Sequence, residues 1–291
     1  MKNKLYIKTW GGLGDVVLTT PVFKAFKTRF PGMKIIVFCH SPGGKQVLEN
    51  NPYIDRLTLV NVFNLNWYAL LAKLNLIKVV MGEYAKVRPS FCYKKSASEI
   101  IAELMGVELT DTHLQIYPDK QEEINARKIL GKYKNPIIIH ITSVASKNQM
   151  WPVEKWNELV RQMPDYTFIQ LGLSREERVE GAIDLRGKTT IPTSIALVKH
   201  AISFVGVVSF FAHLTNAFDK PGVVLYGPSS IVVWGHPNNI NVSKGLPCSN
   251  CMDWLVKPCP YGKPCMLLIT VKEVKDALSR QLAFGNRDSV I

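Results

Sequence analysis

Short apolar runs alternate with helical spacing along this chain, and the alternation starts afresh near its middle. The first series has strand-like runs at Leu5-Tyr6-Ile7, Lys34-Ile35-Ile36-Val37-Phe38 and Leu57-Thr58-Leu59-Val60. Helical spacing lies between and after them, at 16–29, 43–50, 66–77, 96–105 and 121–133. Lys132-Tyr133-Lys134-Asn135-Pro136 has the character of a linker. Beyond it the pattern restarts with Ile137-Ile138-Ile139-His140-Ile141, then strands at 166–171, 182–185, 202–207 and 222–226, separated by helices at 152–162, 192–200 and 210–217. Continuous apolar strands separated by helices call for parallel sheets covered on both faces. The expectation is an α/β chain of two Rossmann-like domains, 1–133 and 134–291, facing across a cleft. Ligands of such sheets sit beyond the carboxyl ends of the strands.

Composition limits the partners. With 291 residues there is room for two domains, and 47% hydrophobic with 20% charged residues is a globular balance. No apolar run approaches the ~20 residues of a membrane span, and Met1-Lys2-Asn3-Lys4 leads directly into a strand. Without a signal peptide the expected location is cytoplasmic. The net charge of +13 favours an anionic partner: a nucleotide phosphate, a nucleic acid or an anionic membrane surface. The charge is scattered, and no ladder of basic and aromatic residues accompanies it. That favours steering of a phosphorylated substrate, with no nucleic acid.

Four loops at strand ends are candidates for chemistry. Gly11-Gly12-Leu13-Gly14-Asp15 follows the first strand, so backbone can approach a ligand closely and a helix can begin at Asp15. Asp15 suits proton removal from a hydroxyl better than a phosphate cradle, and it equally suits an N-cap. Thr142-Ser143-Val144-Ala145-Ser146-Lys147 offers hydroxyls and one lysine for a diphosphate; a strand end with a solvated lysine fits the same residues. Ser209 is an N-cap candidate at a helix end that could receive phosphate, with His213 one turn on, a packed histidine or a ligand. Gly227-Pro228-Ser229-Ser230 is a turn after the last strand of the series, placed to close over a nucleotide. The loop at 82–95 is basic and aromatic, a candidate acceptor contact or a solvated loop.

Cys248, Cys251, Cys259 and Cys265 crowd into one loop (245–266) ahead of a terminal helix. Four thiolates suit tetrahedral zinc or iron; reduced thiols packed under the helix are the other reading. Cys39 and Cys92 are packing residues.

The residues 11–21, ending their helix at Arg29-Phe30-Pro31, resemble the opening of the family 9 glycosyltransferases, the ADP-heptose:lipopolysaccharide heptosyltransferase family. The likeness continues in Lys147 with Trp151-Pro152, in Asp184-Leu185-Arg186-Gly187-Lys188-Thr189-Thr190, and in Ser209 with His213-Leu214. It runs on through Leu225-Tyr226-Gly227-Pro228-Ser229, Trp234-Gly235, Cys248-Ser249-Asn250-Cys251, Cys265-Met266 and Ile269-Thr270. The resemblance implies a GT-B fold and inverting sugar transfer from a nucleotide donor, with no cofactor required for catalysis. It implies catalytic roles for Asp15 (general base) and Lys147, and donor binding through Gly12, Leu13, Gly14, Thr142, Ser143, Lys147, Thr189, Ser209, Phe210, His213, Gly227 and Pro228. The partners it implies are a nucleotide sugar, most simply ADP-heptose, and a glycan or glycolipid acceptor, with peripheral contact at the inner membrane. Where the family has Asp-Ser-Gly, this chain has Val208-Ser209-Phe210. Another nucleotide sugar, a protein acceptor, or a non-catalytic scaffold role are the alternative readings.

Overall fold

The structure is a computed structural model describing residues 4–9, 11–60, 70–71, 73–74, 78–79, 94–144, 146–251 and 258–285. The helix expected at 66–77 and the loop at 82–95 fall largely outside them. The chain divides into two compact units, Met1–Asp119 and Lys120–Ile291.

The first unit contains β1 (Lys4–Lys8), α1 (Leu13–Leu18), α2 (Thr20–Arg29), β2 (Lys34–Cys39), α3 (Pro42–Leu48), β3 (Arg56–Leu59), β4 (Lys78–Val79) and α4 (Ala97–Met105). Its sheet has the order β3-β2-β1-β4 with every pairing parallel. Ile7, Ile35 and Val37 of the strands and Val17, Val22 and Phe23 of the helices have no exposure. The helix expected at 16–29, with Thr20-Pro21 as a point where it can bend or be capped anew, is two helices broken at Thr19. Pro21 has no N–H to give the Val17 carbonyl, and the Thr20 hydroxyl donates to that carbonyl instead, at 2.7 Å. α4 begins with the reciprocal cap its sequence suggests: Ser96 Oγ accepts from the Glu99 N–H, and Glu99 Oε2 accepts from the Ser96 N–H.

The second unit contains α5 (Lys120–Leu130), β5 (Pro136–His140), α6 (Val153–Arg161), β6 (Thr167–Gln170), β7 (Ile183–Asp184), α7 (Ile191–His200), β8 (Ser203–Val207), α8 (Phe210–Ala217), β9 (Gly222–Tyr226), α9 (Ile231–Trp234), β10 (Asn239–Ser243), α10 (Pro264–Leu267) and α11 (Val271–Gly285). Its parallel sheet runs β10-β9-β8-β5-β6-β7. Ile137, Ile138 and Ile139 of β5 have no exposure, as expected of a strand covered on both faces. Trp151, Trp156 and the α11 residues Val274 and Leu278 close the core on one side.

Two features differ from the sequence expectation. α5 packs on α7 in the second unit: Thr193 Oγ1 donates to Glu122 at 2.9 Å, and Lys199 Nζ and His200 Nε2 reach Glu123 at 2.6 and 3.1 Å. The division therefore falls at Asp119 and Lys120, ahead of the polar linker at 132–136, because long-range pairing outweighs local composition. β10 follows β9, so 222–226 is not the last strand. Its sequence Asn-Ile-Asn-Val-Ser, alternating polar and apolar at a sheet edge, hides it from a search for apolar runs.

Candidate functional site

In each sheet the chain leaves a central strand on one side and returns on the other, and the loops that matter lie at those reversals.

After β1, Gly11 has φ +97, and a Cβ there would stand 2.5 Å from Asp15 Oδ2. Only glycine permits this turn. α1 starts two residues earlier than the sequence suggested: Gly12 is the N-cap and Leu13 the first helical residue. Asp15 is therefore not the cap residue. It stands in the first turn and reaches back, accepting the Gly12 N–H at 2.8 Å. Leu13, Gly14 and Asp15 are half-buried. Burial raises the Asp15 carboxyl to about 6, against the opposing hydrogen bond from Gly12. A carboxylate titrating there is suited to accept a proton near neutral pH.

The second unit brings together residues from β5, β6 and β8, which are neighbours in the sheet. His140 closes β5 and is buried; its Nδ1 lies 3.1 Å from Ser209 Oγ and its Nε2 3.3 Å from Thr142 Oγ1. Gly206 of β8 permits this closeness, because a Cβ would fall 2.4 Å from the His140 carbonyl oxygen. Ser209 is the N-cap residue of α8 by position, but its side chain makes no capping bond and turns to His140 instead. Ser143 is half-buried and Lys147 is exposed, at the head of a short 3-10 turn at Lys147–Gln149 that Ser146 caps by accepting from the Asn148 N–H.

The remaining candidates spread over neighbouring loops. Thr189 Oγ1 pairs with Ser194 at 2.8 Å. Its loop is stitched to the one after β6 by the Gly187 N–H on the Gly172 carbonyl at 2.8 Å and by Arg186, which grips Asp184 with two nitrogens and donates to the Glu176 carbonyl. Phe210 is half-buried with its ring 5.2 Å from that of Phe211, which packs 4.7 Å from the His140 ring. His213 is buried with Nδ1 2.9 Å from His236 Nε2, and burial beside that second imidazole drives its pKa well down. Gly227 and Pro228 are buried. A Cβ on Gly227 would meet Met266 Sδ at 2.6 Å and Cys265 Sγ at 3.1 Å.

The cysteine segment supports these loops. The Asn250 N–H donates to the Gly227 carbonyl at 3.1 Å, the Cys259 N–H to Asn148 Oδ1 at 3.2 Å, and Lys263 Nζ to the Met150 carbonyl at 3.3 Å. Cys248, Cys251, Cys259 and Cys265 are free thiols. The Cys265 thiol is pushed up chiefly by burial, with Cys248, Cys251 and Cys259 adding to the rise. Their chemistry suits zinc or iron, although among the described residues no three His, Cys, Asp or Glu side chains are arranged to share a metal ion.

His140 and Glu176 were not singled out from the sequence. His140 does carry a signal, as the polar residue in a run of isoleucines. Glu176 carries none, lying in the charged stretch Arg175-Glu176-Glu177-Arg178.

The two parallel-sheet units have the GT-B fold. The sequence profile described as glycosyltransferase family 9 (heptosyltransferase) matches residues 95–264, more than half the chain. The chain belongs to this family. It is 22% identical over 283 residues to lipopolysaccharide heptosyltransferase 3 of Escherichia coli, covering 76% of this chain and 82% of that protein. Among solved structures it resembles the E. coli ADP-heptose lps heptosyltransferase II at TM-score 0.75, with 13% identity over 97% of this chain and 99% of that one. A family 9 glycosyltransferase of Veillonella parvula superposes at TM-score 0.74, with 18% identity over 97% of each chain. TibC of enterotoxigenic E. coli, a dodecameric iron-containing glycosyltransferase, superposes at 0.73, with 17% identity over 96% of this chain and 76% of that one. No helix among the described residues is long and apolar enough to cross a membrane.

Proposed function

We propose that this enzyme transfers heptose from ADP-heptose to a lipopolysaccharide or other surface-glycan acceptor, with inversion at the anomeric carbon. The observation that carries the reading is Asp15, a half-buried carboxylate raised to about 6 at a glycine turn after a central strand. In the proposed reaction the acceptor oxygen attacks the anomeric carbon and gives its proton to Asp15. The bond from that carbon to the β-phosphate oxygen breaks, and ADP leaves with the electron pair. Lys147, Ser143, Thr142 and the backbone N–H groups opening α8 offset the charge that develops on the diphosphate. Thr189 lies on the nucleoside side, Gly227 and Pro228 support the donor loop, and His213 holds the α8 packing. The first unit takes the acceptor and the second the donor.

Zinc or iron at Cys248, Cys251, Cys259 and Cys265 would be a structural group and would require the thiols to draw closer together than they stand, and no step of the transfer runs through it. The net charge of +13 supports peripheral contact with an anionic membrane, and the acceptor is a glycan rather than a nucleic acid. A different donor sugar is the second reading, favoured by one observation: Val208 is buried and the Phe210 ring packs tilted against Phe211, so this stretch offers no carboxylate to a sugar hydroxyl.

The test is a thermal-shift panel of ADP, ADP-heptose, UDP, GDP and their sugars on wild type and Lys147→Ala. A ligand at 100 times its Kd adds about 2.7 kcal/mol. Stabilisation by ADP and ADP-heptose that Lys147→Ala removes is expected. Stabilisation by UDP or GDP compounds alone selects the second reading, and a wild type indifferent to all of them refutes both.

A further inference from the structure

The imidazole of His140 stands between two groups that decide which of its nitrogens carries the proton. Burial drives its pKa down to about 4, so the ring is neutral near pH 7 and has one N–H. Nε2 faces Glu176 Oε2 at 3.6 Å and Thr142 Oγ1 at 3.3 Å. The Glu176 side chain is 9% exposed, and its Oε2 has no hydrogen-bond partner among the described residues. A lone pair on Nε2 would point at that carboxylate and be repelled, whereas an N–H there is attracted to both oxygens. The proton therefore belongs on Nε2, which leaves Nδ1 an acceptor. Ser209 Oγ, 3.1 Å away, must then spend its only proton on Nδ1. What Ser209 offers outward from its half-buried place is lone pairs alone.

We infer that Ser209 Oγ is a hydrogen-bond acceptor for a hydroxyl of the transferred sugar, set in that role by His140 and Glu176, and that it is not a donor to the diphosphate. An ionised diphosphate has no proton to give and is repelled by an acceptor-only oxygen; a sugar hydroxyl has one. The flanking Val208 and Phe210 side chains cannot accept it. His140 and Glu176 are positioning residues here, and Ser209 discriminates between the sugar-bearing donor and the bare nucleotide. The inference rests on the donor reading above.

The histidine tautomer is read directly by nitrogen-15 spectroscopy of histidine-labelled wild type, with the His140 signals identified by their loss in His140→Gln. Expected is a protonated Nε2 and a bare Nδ1, with Glu176→Gln shifting the population toward Nδ1–H; a protonated Nδ1 in wild type overturns the inference. Calorimetric titration with ADP and with ADP-heptose gives the second readout. Ser209→Ala should weaken ADP-heptose roughly tenfold and leave ADP unchanged. Equal loss for both ligands makes Ser209 a phosphate contact and overturns the inference while sparing the donor reading. A wild type that binds neither ligand overturns the donor reading and this contact with it.

Discussion

Replacing Asp15 by Asn separates what this carboxyl does for catalysis from what it costs the fold. In the unfolded chain the group titrates at its ordinary value of 3.8, and in the folded chain at about 6, raised chiefly by burial. The folded state therefore holds a proton that the unfolded state has released between those two values. Stability contributed by this group is fully present below 3.8 and is lost as pH rises through 6. The difference corresponds to about 3 kcal/mol at 1.36 kcal/mol per unit. Asparagine keeps an oxygen for the Gly12 N–H but carries no charge to bury. Urea unfolding of the first unit should find wild type and Asp15→Asn equally stable near pH 4, with the variant gaining up to about 3 kcal/mol by pH 7. The same substitution should lower kcat by about 10²- to 10⁴-fold. Wild-type kcat/KM should fall about tenfold per pH unit below 6, a limb the variant lacks. A variant that is no more stable than wild type at pH 7 would show that Asp15 is not desolvated, and the basis for its role as a base would be gone.

Gly227→Ala should cost about 1–3 kcal/mol in thermal or urea unfolding of the second unit, because the new methyl group meets Met266 Sδ at 2.6 Å; an unchanged midpoint would show that the cysteine segment is not packed beneath this loop. Trp151→Phe removes the Nε1–H bond to the Ile269 carbonyl at 3.0 Å and should cost about 1 kcal/mol, since Lys155 still donates to that oxygen; Trp151→Phe combined with Lys155→Met should cost more than the two singles added, measured by urea midpoints. The Glu273 carboxyl is held down at about 2 by Lys244 and by the Thr270 N–H. Its stabilisation is present above 4.5 and fades as pH falls toward 2; being partly exposed, it should be worth under about 1 kcal/mol, so Glu273→Gln and wild type should converge in acid unfolding curves.

The repeating architecture was legible because β1, β2, β5, β8 and β9 are continuous apolar runs, and only two-sided burial makes such runs useful. Capping was legible where it is local, as at Ser96 and Glu99. The candidate loops were legible as strand ends. Their internal geometry was not, because it is decided by groups far away in sequence. Asp15 bonds back to Gly12 instead of opening the helix. Ser209 gives up its capping bond for His140, 69 positions earlier. Glu176 sits in a charged stretch that looks solvated, and becomes a buried partner because Arg186 fastens its loop and Gly172 leaves room for its carboxylate, where a Cβ would come within 2.1 Å of Oε2. α5 carries no local mark of the unit it joins, since Glu122 and Glu123 are ordinary first-turn acids until Thr193, Lys199 and His200 are brought to them.

That attachment of α5 also fixes where the polypeptide can be divided. A fragment beginning after the polar linker at 132–136 would lose the helix that pairs with α7, and would present to water the surface that Ala126 and Leu130 now cover. It would also leave Lys199 and His200 without the Glu123 carboxylate that both now reach. Handled at Lys120, the second unit carries its own lid for that seam. A shuffled or fused version joined there inherits a finished surface, whereas one joined a dozen residues later inherits a sticky one.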